Sequence, residues 1–258
     1  MEILSYNIWD LPLWFVRNRK ERLMNIGVFI VDRNTDIVCM QESWSLEHRR
    51  ALSEYMRSHG YYDAIYQVGI KRNNGGLLTF SKFPIMSVRF IPFGRLSISV
   101  SEFIGNKGVL ETIINTPKGL LRVLNIHLHH ESSRVLNSTR IRVRQLRKLF
   151  ETIKNDSDMA TVLAGDFNQH DMANKTIFNE IFGSRNFSFN GSVETFESTY
   201  RKENLFVNNW INRITHSQTY DYILTKGLDK IGMAVKSYTP IYMDPVLSDH
   251  DPVSITLE

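Results

Sequence analysis

Apolar residues along this chain come in short bursts separated by polar punctuation. Bursts rich in β-branched and aromatic residues, bounded by Gly, Pro or Asn, read as strands. They predict strands over Glu2 to Ile8, Asp36 to Gln41, Gly76 to Ser81, Ile85 to Ile91, Gly108 to Asn115 and Leu120 to His127. Four more are predicted over Ala160 to Ala164, Thr219 to Leu224, Met233 to Tyr238 and Val253 to Leu257. Three other segments place apolar residues three and four apart, the helical spacing. Arg19 to Asp32 does so with Leu23, Ile26, Phe29 and Ile30, and Leu46 to Ser58 behaves similarly. Ser133 to Lys154 carries Ile141, Leu146, Leu149, Phe150 and Ile153 on one side. Between Leu77 and Leu128 strand follows strand. Helices at both ends around a β meander suggest an α/β fold: two mixed sheets packed together with helices outside.

Composition adds limits. The 258 residues suit one large α/β domain, and no repeat or low-complexity linker divides them, so residues 1–258 are expected to form a single domain. A hydrophobic content of 42% and a charged content of 22% are those of a globular chain with a sizeable core. The net charge of +4 suits an anionic substrate without demanding one. Cys39, the lone cysteine, lies inside an apolar run and reads as a buried core thiol. No stretch approaches about 18 uncharged apolar residues, so no membrane-spanning helix is expected. Met1-Glu2 leads straight into a strand without a signal peptide. A cytoplasmic location is therefore expected, with secretion the alternative had a leader been removed. The irregular stretch Ser184 to Thr219 reads as a surface excursion near the site.

Candidate chemistry gathers at the ends of apolar runs. Asn7 ends Ile3-Leu4-Ser5-Tyr6, Glu42 follows Ile37-Val38-Cys39-Met40-Gln41, and Asp166 and Asn168 follow Val162-Leu163-Ala164-Gly165. Asp249-His250 precedes the last strand, His127 ends another, and Asp221 is an acid inside an apolar strand. Each alone has an ordinary reading: a solvated strand end, an Asx turn, a capped turn, a satisfied core histidine. Together they resemble an assembled site for a hard divalent cation, which takes carboxylate and amide oxygens. A histidine near its intrinsic pKa of about 6.5 can accept a proton beside it. Gly105-Asn106-Lys107-Gly108 can present a cation to a phosphate, or be a plain β-turn. His129 and His130 read as loop histidines without roles, and the basic run Arg134 to Lys148 as the solvated face of a helix.

In chain order, Asn7, Glu42, His127, Asp166-Phe167-Asn168, Asp221 and Ser248-Asp249-His250 resemble the endonuclease/exonuclease/phosphatase superfamily from Glu2 to the C-terminus. That resemblance implies a four-layered α/β sandwich and Mg²⁺-dependent phosphoester cleavage, with Mn²⁺ a substitute ion. It makes Glu42 the principal metal ligand with Asn7 beside it and Asp249 near the ion. Asp166 and Asn168 would hold the attacking water and the phosphate, and His250 would be the general base, oriented by Asp221. His127 would donate to a phosphate oxygen or the leaving group. Abasic-site endonucleases carry Asn-x-Asp at the first motif and a tyrosine at the His127 position, and this chain has neither. Asn7-Ile8-Trp9-Asp10-Leu11-Pro12, Gly76 to Ile85 and Asn106-Lys107-Gly108-Val109-Leu110 are more similar to neutral sphingomyelinases. In that branch Lys107 would meet a lipid phosphate. Trp9, Trp14, Phe15, Phe93 and Phe103 would either touch a membrane peripherally or pack in the core. The expected partner is a phospholipid or another phosphodiester, acted on by a monomer. A nuclease, an inositol-phosphate phosphatase and a non-catalytic binding module on the same fold are the alternatives.

Overall fold

Period-two alternation decides which way each strand faces. In β1 (Glu2–Asp10), Ile3 packs between the two sheets of the molecule, whereas Leu4, Tyr6 and Ile8 pack outward against helices. The same division recurs in β2 (Ile37–Ser43): Ile37 and Cys39 face inward, Val38 and Met40 outward. The structure, a computed structural model, describes residues 1–13, 16–64, 74–94, 105–130, 137–153, 159–190, 198–207 and 216–258.

Its first sheet also contains β3 (Tyr62–Ala64), β4 (Leu78–Ser81), β11 (Val235–Pro240) and β12 (Val253–Leu257), in the order β11-β12-β1-β2-β4-β3. The second contains β5 (Ile85–Pro92), β6 (Gly108–Thr116), β7 (Gly119–His127), β8 (Thr161–Asp166), β9 (Ser188–Phe189) and β10 (Asp221–Lys226), in the order β5-β6-β7-β8-β10-β9. Both sheets are mixed. Each has one central parallel pair, β1–β2 and β7–β8, spanned by a crossover helix as parallel strands require. Those helices are α1 (Arg19–Asp32) and α3 (Ser138–Thr152), joined on the outer faces by α2 (Leu46–Ser58) and α4 (Thr176–Gly183). Leu23, Ile26, Leu52 and Met56 cover the first sheet, while Leu146, Leu149, Phe178 and Phe182 cover the second. Between the sheets lies a third apolar layer, including Ile3, Ile37, Val123, Val162, Ile223 and Ile255. The fold is a four-layered α/β sandwich with two mixed sheets face to face.

Some details depart from the sequence reading. The strand drawn from Gly76 begins at Leu78, because Gly75 and Gly76 turn with φ of 68° and 74°. Of the predicted helix Ser133 to Lys154, α3 covers Ser138–Thr152. Arg142 on that helix is fully buried rather than solvated, since it bonds inward to the carbonyl of His129 and the side chain of Gln169. His129 is likewise buried, its N–H donating to Gln145 Oε1 at 3.0 Å. Phe93 belongs to the core under α3, and Trp9 packs on Phe206 with ring centroids 5.5 Å apart, so neither is a membrane-facing aromatic. Trp14, Phe15 and Phe103 lie outside the described residues. The short elements β3, β9 and α4 have too few turns or alternations to announce themselves in sequence. Cys39 is buried between the sheets, which pushes its thiol up to about 12.

Candidate active site

Inward positions change character along the strands. Toward one end of the sandwich, Ile3 gives way to Ser5 and Asn7, Ile37 to Cys39 and Gln41, Val123 to Asn125 and His127, and Val162 to Ala164 and Asp166. Two buried amides form the floor of this polar end. Gln41 Nε2 donates to Asn125 Oδ1 at 2.8 Å, and Asn125 Nδ2 donates to the carbonyls of Met40 at 3.0 Å and Leu78 at 2.7 Å. Asn125 thereby bolts one sheet to the other directly beneath the site. Polar residues at inward positions of apolar strands were the sequence signal for this floor, and it went unread.

Strict alternation would send Glu42 outward with Val38 and Met40. Instead its backbone turns left-handed, with φ of 59°, and the carboxylate joins the inward cluster. Asn7 Nδ2 donates to Glu42 Oε1 at 3.3 Å and to Asp166 Oδ2 at 3.0 Å. The amide orientation is fixed by Trp9, whose N–H donates to Asn7 Oδ1 at 3.1 Å. Asn7 therefore stands beside Glu42 as a donor. His127 Nε2 lies 3.8 Å from Glu42 Oε1 and 3.6 Å from Asp166 Oδ2, and Lys107 Nζ lies 3.0 Å from His127 Nε2. Lys107 also donates to the Leu128 carbonyl at 2.7 Å.

Asp166 is aimed by a tight exit from β8. Gly165, with φ of 153°, is required there, because a Cβ would meet the Ile126 carbonyl oxygen at 1.9 Å. Phe167 packs away into the core, and Asn168, with φ of 50°, returns its N–H to Asp166 Oδ1 at 2.7 Å. Asn168 Nδ2 donates to the Leu128 carbonyl at 3.2 Å. Asp221 faces Asp166 across the β8–β10 pairing. Its Oδ2 lies 2.8 Å from His250 Nδ1, and His250 Nε2 points back to Asp166 Oδ2 at 3.9 Å. Ser248 Oγ donates to the Asn7 carbonyl at 2.7 Å, pinning the Ser248-Asp249-His250 turn to β1. Tyr200 and Tyr220 wall the imidazole, with centroids 5.2 Å and 6.3 Å from it. Nothing in the sequence singled out those tyrosines: Tyr200 comes from the irregular stretch Ser184 to Thr219, and Tyr220 immediately precedes β10.

The electrostatics report crowded negative charge. Burial, then the like charge of Asp249, pushes Glu42 up to about 7 against the pull of Lys107 and His250. Burial likewise raises Asp221 to about 6 and lifts Asp249 above the usual carboxylate range. Asp166 is also desolvated, but His250, His127 and Lys107 hold its carboxyl below that range. Burial alone would lower His250; Asp221 and Asp166 outweigh it and raise the imidazole well above its ordinary value.

These side chains suit a hard divalent cation. One ligand atom each from Glu42, His127 and Asp166 lie within 4.8 Å of one another, as do those from Asp166, Asp221 and His250. Glu42 Oε2 and Asp221 Oδ1 are buried without a hydrogen-bond partner, a costly state for carboxylate oxygens that cation binding relieves. Asp249 stands outside both triads, with Oδ1 accepting from Ser248 Oγ at 3.3 Å. Asn7, Lys107, Glu42, His127, Asp166, Asn168, Asp221 and His250 thus converge on one end of the inter-sheet space.

Comparison with known proteins places the chain in a family. Across 284 aligned positions spanning the whole chain, it is 25% identical to human (Homo sapiens) sphingomyelin phosphodiesterase 2 and covers 64% of that protein's length. It thus spans less than two thirds of this curated relative. Sphingomyelinase C from Streptomyces griseocarneus superposes with a TM-score of 0.76 at 16% identity, covering 98% of both chains. A mutant beta toxin from Staphylococcus aureus, solved with bound magnesium ions, superposes with a TM-score of 0.70 at 20% identity, also over 98% of both. The Endonuclease/Exonuclease/phosphatase family pattern matches residues 4–250, and the chain belongs to that family.

Proposed function

We propose that this protein is a metal-dependent phosphodiesterase, a hydrolase that cleaves the phosphoester of a sphingomyelin-like phospholipid with Mg²⁺ as its cofactor. The observation that carries the reading is the Asp221–His250–Asp166 relay, 2.8 Å and 3.9 Å between facing atoms, set beside the Glu42–His127–Asp166 triad. A phosphodiester's negative charge repels a nucleophile, and a divalent ion held by Glu42 and Asp166 supplies the neutralisation. The rest falls to the chain. With the charge of an ion at Glu42 and Asp166 offsetting the carboxylates that otherwise hold the imidazole protonated, His250 would take a proton from the attacking water at Nε2, while Asp221 fixes the ring through Nδ1 and stabilises the imidazolium formed. Asn168 and Lys107 orient phosphate oxygens, and His127 donates to a phosphate oxygen or the leaving group. The similarity to sphingomyelin phosphodiesterase 2 supports a lipid substrate. No helix among the described residues is long and apolar enough to cross a membrane; the reading takes contact with a lipid surface to be peripheral and the protein to act as a monomer.

A substrate panel tests the reading: sphingomyelin, lysophospholipid, plasmid DNA and inositol phosphates, each with Mg²⁺ and with EDTA. The expected result is phospho-headgroup release from sphingomyelin, lost in EDTA. DNA cleavage that weakens steeply with salt would replace the lipid reading with a nuclease. Lys107→Ala should lower kcat/KM on the lipid by about 10- to 100-fold, the worth of a charge-assisted hydrogen bond. Unchanged steady-state constants would remove Lys107 from phosphate contact.

A further inference from the structure

Three residues at the strand ends of the site hold left-handed backbone: Trp9 with φ of 49°, Glu42 with 59° and Asn168 with 50°. Side chains other than glycine adopt this conformation at a cost, and it persists only where the surroundings over-determine it. What over-determines it here is the same device three times. Arg22, Arg49 and Arg142, on α1, α2 and α3, are 6%, 2% and 0% exposed. Each reaches through its layer to the chain at or just beyond one of those residues.

Arg22 Nη2 donates to the Trp9 carbonyl at 3.0 Å, while Nη1 serves the Ile8 carbonyl at 3.4 Å and that of Leu247. It therefore joins the exit past Asn7 to the approach of Ser248-Asp249-His250. Arg49 Nε donates to the carbonyl of Ser43, the residue after Glu42, at 2.6 Å; Nη2 holds Asn74 Oδ1 at 2.6 Å and the Leu77 carbonyl at 3.2 Å. Arg142 Nη1 donates to the carbonyl of His129 at 3.1 Å, and Nη2 to Oε1 of Gln169, the residue after Asn168, at 2.9 Å.

We propose that Arg22 and Arg49 are positioning residues of the catalytic site, each clamping one left-handed strand exit so that the neighbouring functional side chains converge. The inference rests on the proposed metal-dependent hydrolysis. A planar fork of five donors can serve several differently directed acceptors at once, and a lysine ammonium, though equally charged, cannot reproduce that fixed geometry. Arginine-to-lysine exchange therefore separates clamping from the field of the charge. Arg122 supplies the control. It is also buried, at 4% exposure, but pairs with Glu111 at 3.1 Å and lies five residues before His127 on β7.

The test measures Mg²⁺ binding by calorimetry, steady-state hydrolysis of sphingomyelin vesicles, and thermal unfolding for Arg22→Lys, Arg49→Lys and Arg122→Lys. Arg49→Lys should weaken Mg²⁺ affinity about 10- to 100-fold, the usual penalty for losing an outer-shell support. Arg22→Lys should cut kcat by about tenfold or more, with KM and Mg²⁺ affinity within about threefold of wild type. Arg122→Lys should lower the melting temperature and leave both functional readouts alone. Should Arg49→Lys fail to fold, Asn74→Ala removes one acceptor of the same clamp and should weaken Mg²⁺ binding in the same direction. A folded Arg49→Lys (or Asn74→Ala) with wild-type Mg²⁺ affinity, a folded Arg22→Lys with wild-type kcat, or an Arg122→Lys as damaging as Arg49→Lys, overturns the proposal. Wild-type protein that binds Mg²⁺ but hydrolyses nothing overturns the enzymatic reading instead, while the isotherms still judge Arg49. Wild-type protein that binds no Mg²⁺ overturns both.

Discussion

His250→Ala should lower kcat by about three orders of magnitude, within the range of 10²–10⁴ expected for loss of a general base, while leaving a cooperative unfolding transition. Among the described residues, the partners of His250 include Asp221, Asp166, the tyrosine rings and the turn that carries it. Removing the imidazole strands Asp221, but that carboxyl already lies near about 6 through burial. Without its cationic partner, which pulls it down, the carboxyl rises further and takes up a proton, so no unpaired charge is left in the core. The loss should fall on kcat more than on Mg²⁺ affinity, because the two triads share Asp166 but His250 belongs only to the one without Glu42. Near-normal turnover would take His250 out of the mechanism.

Glu42→Gln should do the opposite to stability and binding. In the metal-free fold Glu42 is pushed from an ordinary value near 4.5 up to about 7, so between those values the folded state holds a proton that the unfolded chain releases. Stability then falls as pH rises through that window, and the penalty, on the order of 3 kcal/mol, is complete above it. Glutamine cannot ionise. Metal-free Glu42→Gln should therefore melt several degrees above metal-free wild type at about pH 7.5, with the difference shrinking toward about pH 4.5. Mg²⁺ at about 100 times its Kd should raise the wild-type Tm by roughly 5–10 °C and should barely move the variant. The wild-type gain should also be smaller at about pH 5, where the ion must displace a proton. A variant with an unchanged Mg²⁺ response would show that Glu42 is not a ligand.

Much of the sandwich was legible because alternation is a local signal. Ile3/Leu4, Val123/Leu124 and Val162/Leu163 sort between the inner and outer apolar layers by position alone. The site residues Asn7, His127 and Asp166 were legible as polar groups ending apolar runs, and each stands in phase with the inner face of its strand. Glu42 was legible as a carboxylate ending an apolar run, but the left-handed turn that brings it inward was not, because φ is not written in the residue type. Least visible were contacts across long separations. Arg22 meets Leu247 some 225 residues away, and Asn125 meets Met40 from 85 residues away. Arg142 shows the failure plainly: a helical face dense in basic residues looks solvated until His129 and Gln169 are placed beneath it.

The proposed hydrolysis requires Glu42 and Asp166, from different sheets, to share one cation within reach of His250. Diffraction from crystals grown with Mn²⁺, recorded for its anomalous signal, tests that requirement most directly. A peak at coordination distance, about 2.2 Å, from carboxylate oxygens of both Glu42 and Asp166 is the predicted result. A peak elsewhere, with Glu42 and Asp166 free of metal, would contradict it.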